Sequence, residues 1–330
     1  MAKRILALPG DGVGPEVIAS AVRVIGATAC DAEIVFGEIG TGAYAKTDYY
    51  LPPDTVDLAT ESDAIIAGEV LRKPNDVRYR DPLRVLKKQL NLYTVLRTFS
   101  PLPPRAGPAA DMVILTGNPD SLFNVIEKEN LDGITAEKFT SNESCRKLFR
   151  MAVRIAEIKH RRSILCAHRA DMFPHQDSTF VDLFYKELAA SEFVIDDGEV
   201  ERVAERMVLD PSSLDVIVST DVYGSVLSGV ASGLVGGMHL TPMGSIGDSQ
   251  GLFEPMHGSN PPGDPEYVNP TSAVLSGALA LDFIGFTDAA DRIRDAVTAA
   301  YSGRIVTPDV GGTASAKTFT DAVVSHIGRS

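Results

Sequence analysis

The chain has 330 residues, 44% hydrophobic and 23% charged, which is the balance of a globular protein with a substantial buried core. Its formal net charge of −13 argues against nucleic acid or an anionic membrane surface as the main partner. No apolar run approaches the roughly 20 residues of a membrane span. The three cysteines lie far apart without metal or disulfide spacing, so we expect a soluble cytoplasmic protein; they are Cys30, Cys145 and Cys166.

Short apolar runs alternate with helical patterns along most of the chain. The runs predict strands at Arg4–Leu8, Ala64–Ala67, Asp111–Leu115, Ser163–Ala167 and Asp215–Ser219. Helices are predicted at Pro15–Ala29, Ser141–Lys159, Phe180–Ala190, Gly198–Leu209, Thr271–Ile284, Ala289–Tyr301 and Lys317–Ile327. Such alternation predicts an α/β fold with a mostly parallel sheet covered by helices on both faces.

Two Pro- and Gly-rich stretches interrupt this pattern. Pro101–Pro108 is typical of a crossing between lobes. Gly236–Pro265 is about 30 residues with little predicted regular structure, and long ordered loops of this kind tend to be functional.

One segment is basic against the acidic background. It carries Arg72, Lys73, Arg78, Arg80, Arg84, Lys87, Lys88 and Arg97. The pattern fits either a solvated helix face or a site for a small carboxylate or phosphate, and charge alone does not choose between them.

Two motifs point towards a ligand site. LPGDGVGPEV (Leu8–Val17) is a strand, a glycine turn and a helix start, but its glycine spacing is not that of a dinucleotide fingerprint, and a structural turn is the simpler interpretation. GLFEPMHGSNPP (Gly251–Pro262) combines a rigid bend with a histidine and a Gly-Ser pair, which offer backbone N–H groups to a phosphate and a ring to an adenine.

Together with LNLYTVLR (Leu90–Arg97) and the C-terminal VTPDVGGTASAKTFTDAV, these motifs resemble the β-decarboxylating dehydrogenases, the isocitrate/isopropylmalate dehydrogenase family. The resemblance spans essentially the whole chain. It implies an isopropylmalate dehydrogenase-like two-lobe fold that is not a true Rossmann fold. The expected lobes are a large cofactor-binding domain (1–99 plus 245–330) and a smaller dimerisation and substrate domain (100–244). A homodimer with shared active sites is implied as well.

The resemblance also implies a nicotinamide cofactor. Its adenosine half would be held by the loop after the motif histidine and by the strand before it, through Glu254, His257, Gly258, Ser259, Asn260, Val268 and Asn269. Asp264 is the acidic residue available to accept hydrogen bonds from the adenine ribose and to repel a 2′-phosphate, so we expect NAD rather than NADP.

Members of the family grip substrate carboxylates with arginines, whose planar guanidinium forms two parallel hydrogen bonds. Arg97 matches the first arginine, and Arg105 is the candidate for the second. In the stretch resembling R-E-N-T-E-G-x-Y, Thr116 stands in place of the third, Asn118 follows it, and Phe123 stands in place of the general-acid tyrosine. We expect all five to line a substrate site, although a phenyl ring has no proton to give.

The catalytic lysine and the metal ligands of the family are also replaced. His168-Arg169-Ala170-Asp171 resembles H-K-A-N, so Arg169 stands in place of the lysine, and arginine is a poor proton shuttle. In the segment resembling N-[LI]-F-G-D-I-L-S-D, Ser225 and Gly229 stand in place of two aspartates, and Glu201 in place of the aspartate that the partner subunit lends. Mg²⁺ prefers hard anionic oxygens, so we expect this metal site to be lost, with Asp221 as a possible displaced ligand.

Three functions stay open at this point. The first is an NAD-dependent oxidoreductase acting on a small hydroxy acid by altered, metal-independent chemistry, with Arg169, Asp171 and Glu201 as the catalytic set and His168 as a further candidate base. The second is a catalytically silent regulatory paralogue, and the third is a non-redox enzyme that reuses the pocket. We also expect Arg169 and Glu201 to form an ion pair.

Overall fold

The computed structural model describes residues 3–328 apart from 74, 77, 105–109, 118–122 and 257–264, and only the backbone of 123–126 and 265. The strands, in chain order, are β1 Lys3–Leu8, β2 Ala32–Phe36, β3 Ala64–Ala67, β4 Thr94–Phe99, β5 Met112–Gly117, β6 Phe123–Asn130, β7 Gly133–Thr140, β8 Ser163–His168, β9 Val194–Glu199, β10 Val216–Ser219, β11 Pro242–Ile246 and β12 Gly251–Pro255. The helices are α1 Gly14–Ala27, α2 Thr41–Thr47, α3 Pro53–Thr60, α4 Pro82–Gln89, α5 Asn142–Ile158, α6 Gln176–Leu188, α7 Val200–Leu209, α8 Asp221–Val235, α9 Thr271–Phe283, α10 Thr287–Ser302 and α11 Ala316–Ile327.

The chain divides into two compact units. The first comprises residues 1–90, 101–106 and 235–330, and the second comprises residues 91–100 and 107–234. The first unit is therefore discontinuous. β4 belongs to the second unit, and residues 235–244 belong to the first.

In the first unit the strand order is β2-β1-β3-β12-β11, with only β11 antiparallel to its neighbour. Helix α9 is buried on nearly every side from Thr271 to Leu281 and packs against α1, α10 and β12. Its Gly277 allows close packing on α1, since a Cβ built there would lie 3.0 Å from the Ile25 side chain. This core packs against β3, β11 and β12.

The expectation of little regular structure across Gly236–Pro265 is wrong for its first part. β11 and β12 form an antiparallel pair, with Pro242 opposite Pro255 and Ile246 opposite Gly251. The ring of Phe253 lies over two glycines: a Cβ added at Gly244 or Gly251 would approach it to 2.8 Å. These two glycines, which the sequence suggested were loop residues, therefore leave room for the Phe253 ring to lie across two strands.

In the second unit the strand order is β4-β5-β10-β8-β9, with only β4 antiparallel to its neighbour. The predicted mostly parallel sheet is confirmed in both units. β6 and β7 form a separate two-stranded hairpin. Helix α5 begins after Ser141, whose hydroxyl caps it by accepting from the backbone N–H of Ser144.

All the predicted strands and helices are present, with ends that shift by up to four residues, as at α6. Within the described part of the chain, no helix has both the length and the apolar character needed to cross a membrane.

Candidate functional site

The carboxyl ends of parallel strands bring several predicted site residues to one edge of the second unit. β5, β8 and β10 end at Gly117, His168 and Ser219, and β9 leads directly into α7. Loops at this edge of an open α/β sheet are where ligands usually bind. The edge therefore collects Thr116, the turn after β8, the start of α7 and the start of α8.

The turn after β8 and the start of α7 hold an ionic cluster made of Arg169, Asp171 and Glu201. The Arg169 guanidinium donates to both oxygens of Asp171, Nε to Oδ1 at 3.1 Å and Nη2 to Oδ2 at 3.3 Å, and its Nη1 donates to Glu201. The predicted ion pair is thus present, and it forms within one chain. The hydrogen bond from Arg169 holds the pKa of Asp171 below its ordinary value, so the Asp171 carboxylate stays charged at neutral pH.

Two carboxylates, one fully buried and one partly exposed, fix the turn that carries this cluster. Asp177 is fully buried and accepts from the backbone N–H of Arg169 at 2.8 Å. His168 lies 2.9 Å from Asp197 through Nε2, while its Nδ1 accepts from the backbone N–H of Ala170. A ring that accepts at Nδ1 carries its proton at Nε2 and donates it to Asp197, so His168 orients the turn.

Tyr223 is the aromatic neighbour of the cluster, on the first turn of α8. Burial raises its pKa to about 12, and the carboxylate of Asp177 raises it further while Arg169 opposes the shift. The phenol therefore stays protonated at neutral pH and can donate a hydrogen bond. Tyr223 was not among the predicted site residues, although it lies between Asp221 and Ser225, which were named.

Of the predicted substrate residues, Arg97 and Thr116 lie on neighbouring strands. Arg97 Nη1 is 3.4 Å from Thr116 Oγ1. The side chain of Thr116 is fully buried, and a Cβ built at Gly224 would meet its methyl carbon at 2.0 Å. The absence of a side chain at Gly224 thus lets α8 pack closely against Thr116 of β5. Arg97 is only partly buried.

Helix α8 presents few ligands for a hard cation. Ser225 is exposed, and Gly229 faces open space, because a Cβ added there would meet nothing within 4 Å. The described residues contain no group of three or more His, Cys, Asp or Glu side chains placed to hold a metal ion. A hydroxyl and a missing side chain are a poor donor set for Mg²⁺, so these positions do not fit the divalent metal of the family resemblance.

A second ionic feature, the buried pair Lys87–Glu254, lies in the first unit. Lys87 on α4 donates to Glu254 at the end of β12, and the two side chains are only 15% and 9% exposed. Ser276 holds the strand by donating to the Glu254 carbonyl at 2.8 Å. Lys87 therefore fixes the carboxylate predicted to contact the cofactor, a role that the sequence interpretation did not assign.

The other described residues of the predicted cofactor site are largely buried. Val268 and Asn269 are 5% and 6% exposed. The Asn269 amide donates to Asp309 at 3.0 Å, and Asp309 also lies 3.4 Å from Nε2 of His239, a buried nitrogen without a hydrogen-bond partner among the described residues. Asp309 lines a cavity of about 450 Å³ in the first unit, a volume in the range of small-molecule sites. His239 therefore lies beside a residue that lines this cavity.

Several predicted residues lie outside the described part of the chain. These are Arg105, Asn118, His257, Gly258, Ser259, Asn260 and Asp264. Phe123 begins β6, where the structure describes only its backbone. The roles assigned to these residues stay predictions.

The sequence and the fold both match known proteins. The isocitrate/isopropylmalate dehydrogenase family matches residues 4–323. The isocitrate/homoisocitrate dehydrogenase of Thermus thermophilus is 36% identical, with 99% of each chain covered. The homoisocitrate dehydrogenase of Methanocaldococcus jannaschii is 32% identical, over 98% of this chain and 97% of the relative. The crystal structure of isocitrate dehydrogenase from Methylococcus capsulatus is similar with a TM-score of 0.87 at 29% identity, covering 99% of each chain.

The fold and the sequence matches therefore define a dehydrogenase-like α/β protein. The chain belongs to the isocitrate/isopropylmalate dehydrogenase family.

Proposed function

We propose that this chain is an NAD-dependent dehydrogenase that oxidises a small, anionic hydroxy acid without a resident divalent metal. The observation that carries the proposal is the Arg169–Asp171–Glu201 cluster. Its guanidinium donates to both carboxylates, so a cation would have to displace Arg169 to bind either of them, and each Nη keeps one further N–H for a substrate oxygen. A charged donor of this kind can stabilise negative charge that develops on that oxygen.

The cofactor assignment is supported by the family and by the first unit. Glu254 is held by Lys87, and the cavity that Asp309 lines has the size of a ligand site. NAD supplies a hydride acceptor when it is bound. We assign Glu254, Val268 and Asn269, together with His257–Asn260 and Asp264, to its adenosine half, with Asp264 selecting NAD over NADP.

The residues of this chain supply binding and charge. Arg97, Arg105, Thr116, Asn118, Phe123 and Ser225 would line the substrate site, and the two arginines would bind the substrate carboxylate. Arg169 stays protonated at any ordinary pH, and its pKa is raised further by the hydrogen bond to Asp171. It can therefore polarise a substrate oxygen but cannot accept the hydroxyl proton, and another residue must do so.

The homodimer of the proposal is supported by apolar side chains on the second unit. On α8, Val222 and Val226 are one turn apart and 56% and 62% exposed. Leu209 at the end of α7 and Leu131 in the hairpin are exposed as well. Clusters of exposed apolar residues mark interaction surfaces. The free cysteines suit the reducing cytoplasm that we propose as its location.

The test is NAD reduction by purified protein across a panel of hydroxy acids, with EDTA in one series and Mg²⁺ in the other. We expect at least one substrate to be oxidised at the same rate in both series. NADP should support a lower rate. Binding of NAD without turnover on any substrate would favour the silent paralogue, and turnover that EDTA abolishes would refute the metal-free chemistry.

A further inference from the structure

A cavity of about 530 Å³ lies in the first unit and is lined by residues of α2, α3 and α4. Its volume is in the range of small-molecule sites. None of its described lining residues belongs to the ionic cluster, to the predicted substrate site or to the predicted cofactor site. The lining does include Arg78 and Arg80, two cations of the basic segment to which the proposed function gives no role. This cavity is therefore a separate candidate for ligand binding.

A stack of aromatic rings fixes one of these cations in place. The rings of Tyr44 and Tyr50 lie within 17° of parallel with their centroids 4.3 Å apart, and the Arg78 guanidinium lies 5.2 Å from the centroid of Tyr44. The Tyr50 hydroxyl donates to Asp76 at 2.9 Å, and Asp76 also accepts from the backbone N–H of Arg78 at 2.9 Å. These contacts hold the arginine in position before a ligand binds, which lowers the entropic cost of binding.

Arg78 keeps hydrogen-bond donors for a ligand. Its side chain is 70% exposed and pairs with Asp76 through Nε at 3.6 Å. Because Nε makes this contact, the two terminal nitrogens keep N–H groups for another acceptor. Arg80, two residues further along the chain, lines the same cavity. A planar guanidinium binds a carboxylate through two parallel hydrogen bonds, so these arginines suit a ligand that carries a carboxylate.

Two carboxylates supply the opposite charge, Asp48 directly after α2 and Asp57 on α3. Both are exposed, and both line the cavity. Two arginines and two aspartates leave the described lining without a net charge. A ligand with a single charge is attracted by one of these pairs and repelled by the other, whereas a ligand with both charges can satisfy the two pairs. The charges of the cavity therefore favour a zwitterion.

The remaining lining offers an apolar surface and an aromatic ring. Leu51, Val56 and Val85 are half-buried and contribute aliphatic side chains. Tyr49 also lines the cavity, and it is 57% exposed. An exposed tyrosine ring offers a face and an edge to a second aromatic ring. The body of the ligand should therefore be apolar and aromatic.

We propose that this cavity binds a small zwitterion with an aromatic side chain, that is, an aromatic amino acid. Its carboxylate binds Arg78 and Arg80. Its ammonium group binds Asp48 and Asp57, and its ring packs against Tyr49. None of these residues takes part in the proposed oxidation, so the site can be tested whether or not the protein turns over a hydroxy acid.

The experiment is an NMR titration of the purified full chain with isotope-labelled tyrosine rings, of which there are nine. Phenylalanine carries a ring and both charges. Phenylacetate lacks the ammonium group, 2-phenylethylamine lacks the carboxylate, and alanine lacks the ring. We expect phenylalanine to shift the Tyr49 signal, assigned with Tyr49→Phe, in a saturable way and to bind at least about threefold more tightly than each of the other three probes. If one of these three binds as tightly as phenylalanine, or if phenylalanine gives no saturable shift, the proposal is wrong.

Matched variants locate the binding site. Arg78→Gln and Asp57→Asn each remove one charge from the lining, whereas Arg72→Gln and Asp54→Asn remove the same charges from exposed residues outside the described lining. The first two should weaken phenylalanine binding at least about threefold, and the two controls should leave it within about twofold. Asp57→Asn keeps the test valid if thermal unfolding shows that loss of Arg78 disturbs the aromatic stack. Unchanged binding in both lining variants, or an equal loss in the controls, would overturn the assignment.

Discussion

Removal of Lys87 should be far more damaging than removal of its sequence neighbour Lys88. The Lys87–Glu254 pair is almost buried, with side chains 15% and 9% exposed, whereas Lys88 is exposed. Lys87→Met leaves the Glu254 carboxylate buried without its counter-charge, which costs about 3–5 kcal/mol. The double variant Lys87→Met/Glu254→Gln removes the stranded charge, so it should recover most of that loss.

Urea unfolding followed by circular dichroism measures these differences in the free energy of unfolding. Lys88→Met is the matched control and should change it by no more than about 0.5 kcal/mol. NAD titration of the same proteins should show weaker binding by Lys87→Met, because Glu254 loses the group that fixes it. Equal stability of Lys87→Met and Lys88→Met would refute the reasoning.

Three further predictions follow from single contacts. Gly224→Ala should destabilise the protein by about 1–3 kcal/mol in thermal unfolding. Adding Thr116→Ser deletes the methyl group that lies 2.0 Å from the new Cβ, so the double variant should recover the lost stability. No recovery would contradict this packing. Ser225→Asp/Gly229→Asp, on an open face of α8, should create Mg²⁺ binding measurable by calorimetry, and unchanged binding would contradict the view that these positions lack ligands. Burial raises the pKa of Glu69, whose two buried oxygens have no hydrogen-bond partner of ordinary geometry. The folded state therefore binds its proton more tightly, and stability is lost as pH rises above about 4.5 through the raised value. Glu69→Gln should raise the melting temperature at neutral pH but not below about pH 4.5. A lower melting temperature of this variant at neutral pH would contradict the reasoning.

The parallel core of the fold could be predicted from the sequence because its strands are short apolar runs. Ala64–Ala67 is fully buried and matches its prediction residue for residue. β11 and β12 could not be predicted in this way, because their glycines leave space for the ring of Phe253 and do not form a local turn. Local composition does not reveal a contact that only the paired strands create.

The candidate site was predictable in part for a similar reason. Arg169 and Glu201 follow the ends of neighbouring parallel strands, so the family resemblance was enough to predict their ion pair. Lys87 was only one of several cations in a basic segment. Its role depends on Glu254, which lies 167 residues away, although its place beside the buried Leu83 and Leu86 on α4 marks it as the lysine at the edge of the core.

Calorimetric titration of the purified protein with NAD, NADP and Mg²⁺ tests the central claim most directly. We predict that NAD binds more tightly than NADP and that EDTA leaves the binding of NAD unchanged. Mg²⁺ should give no saturable heat of binding in the absence or presence of NAD. Stoichiometric Mg²⁺ binding that also tightens the binding of a hydroxy acid would contradict it.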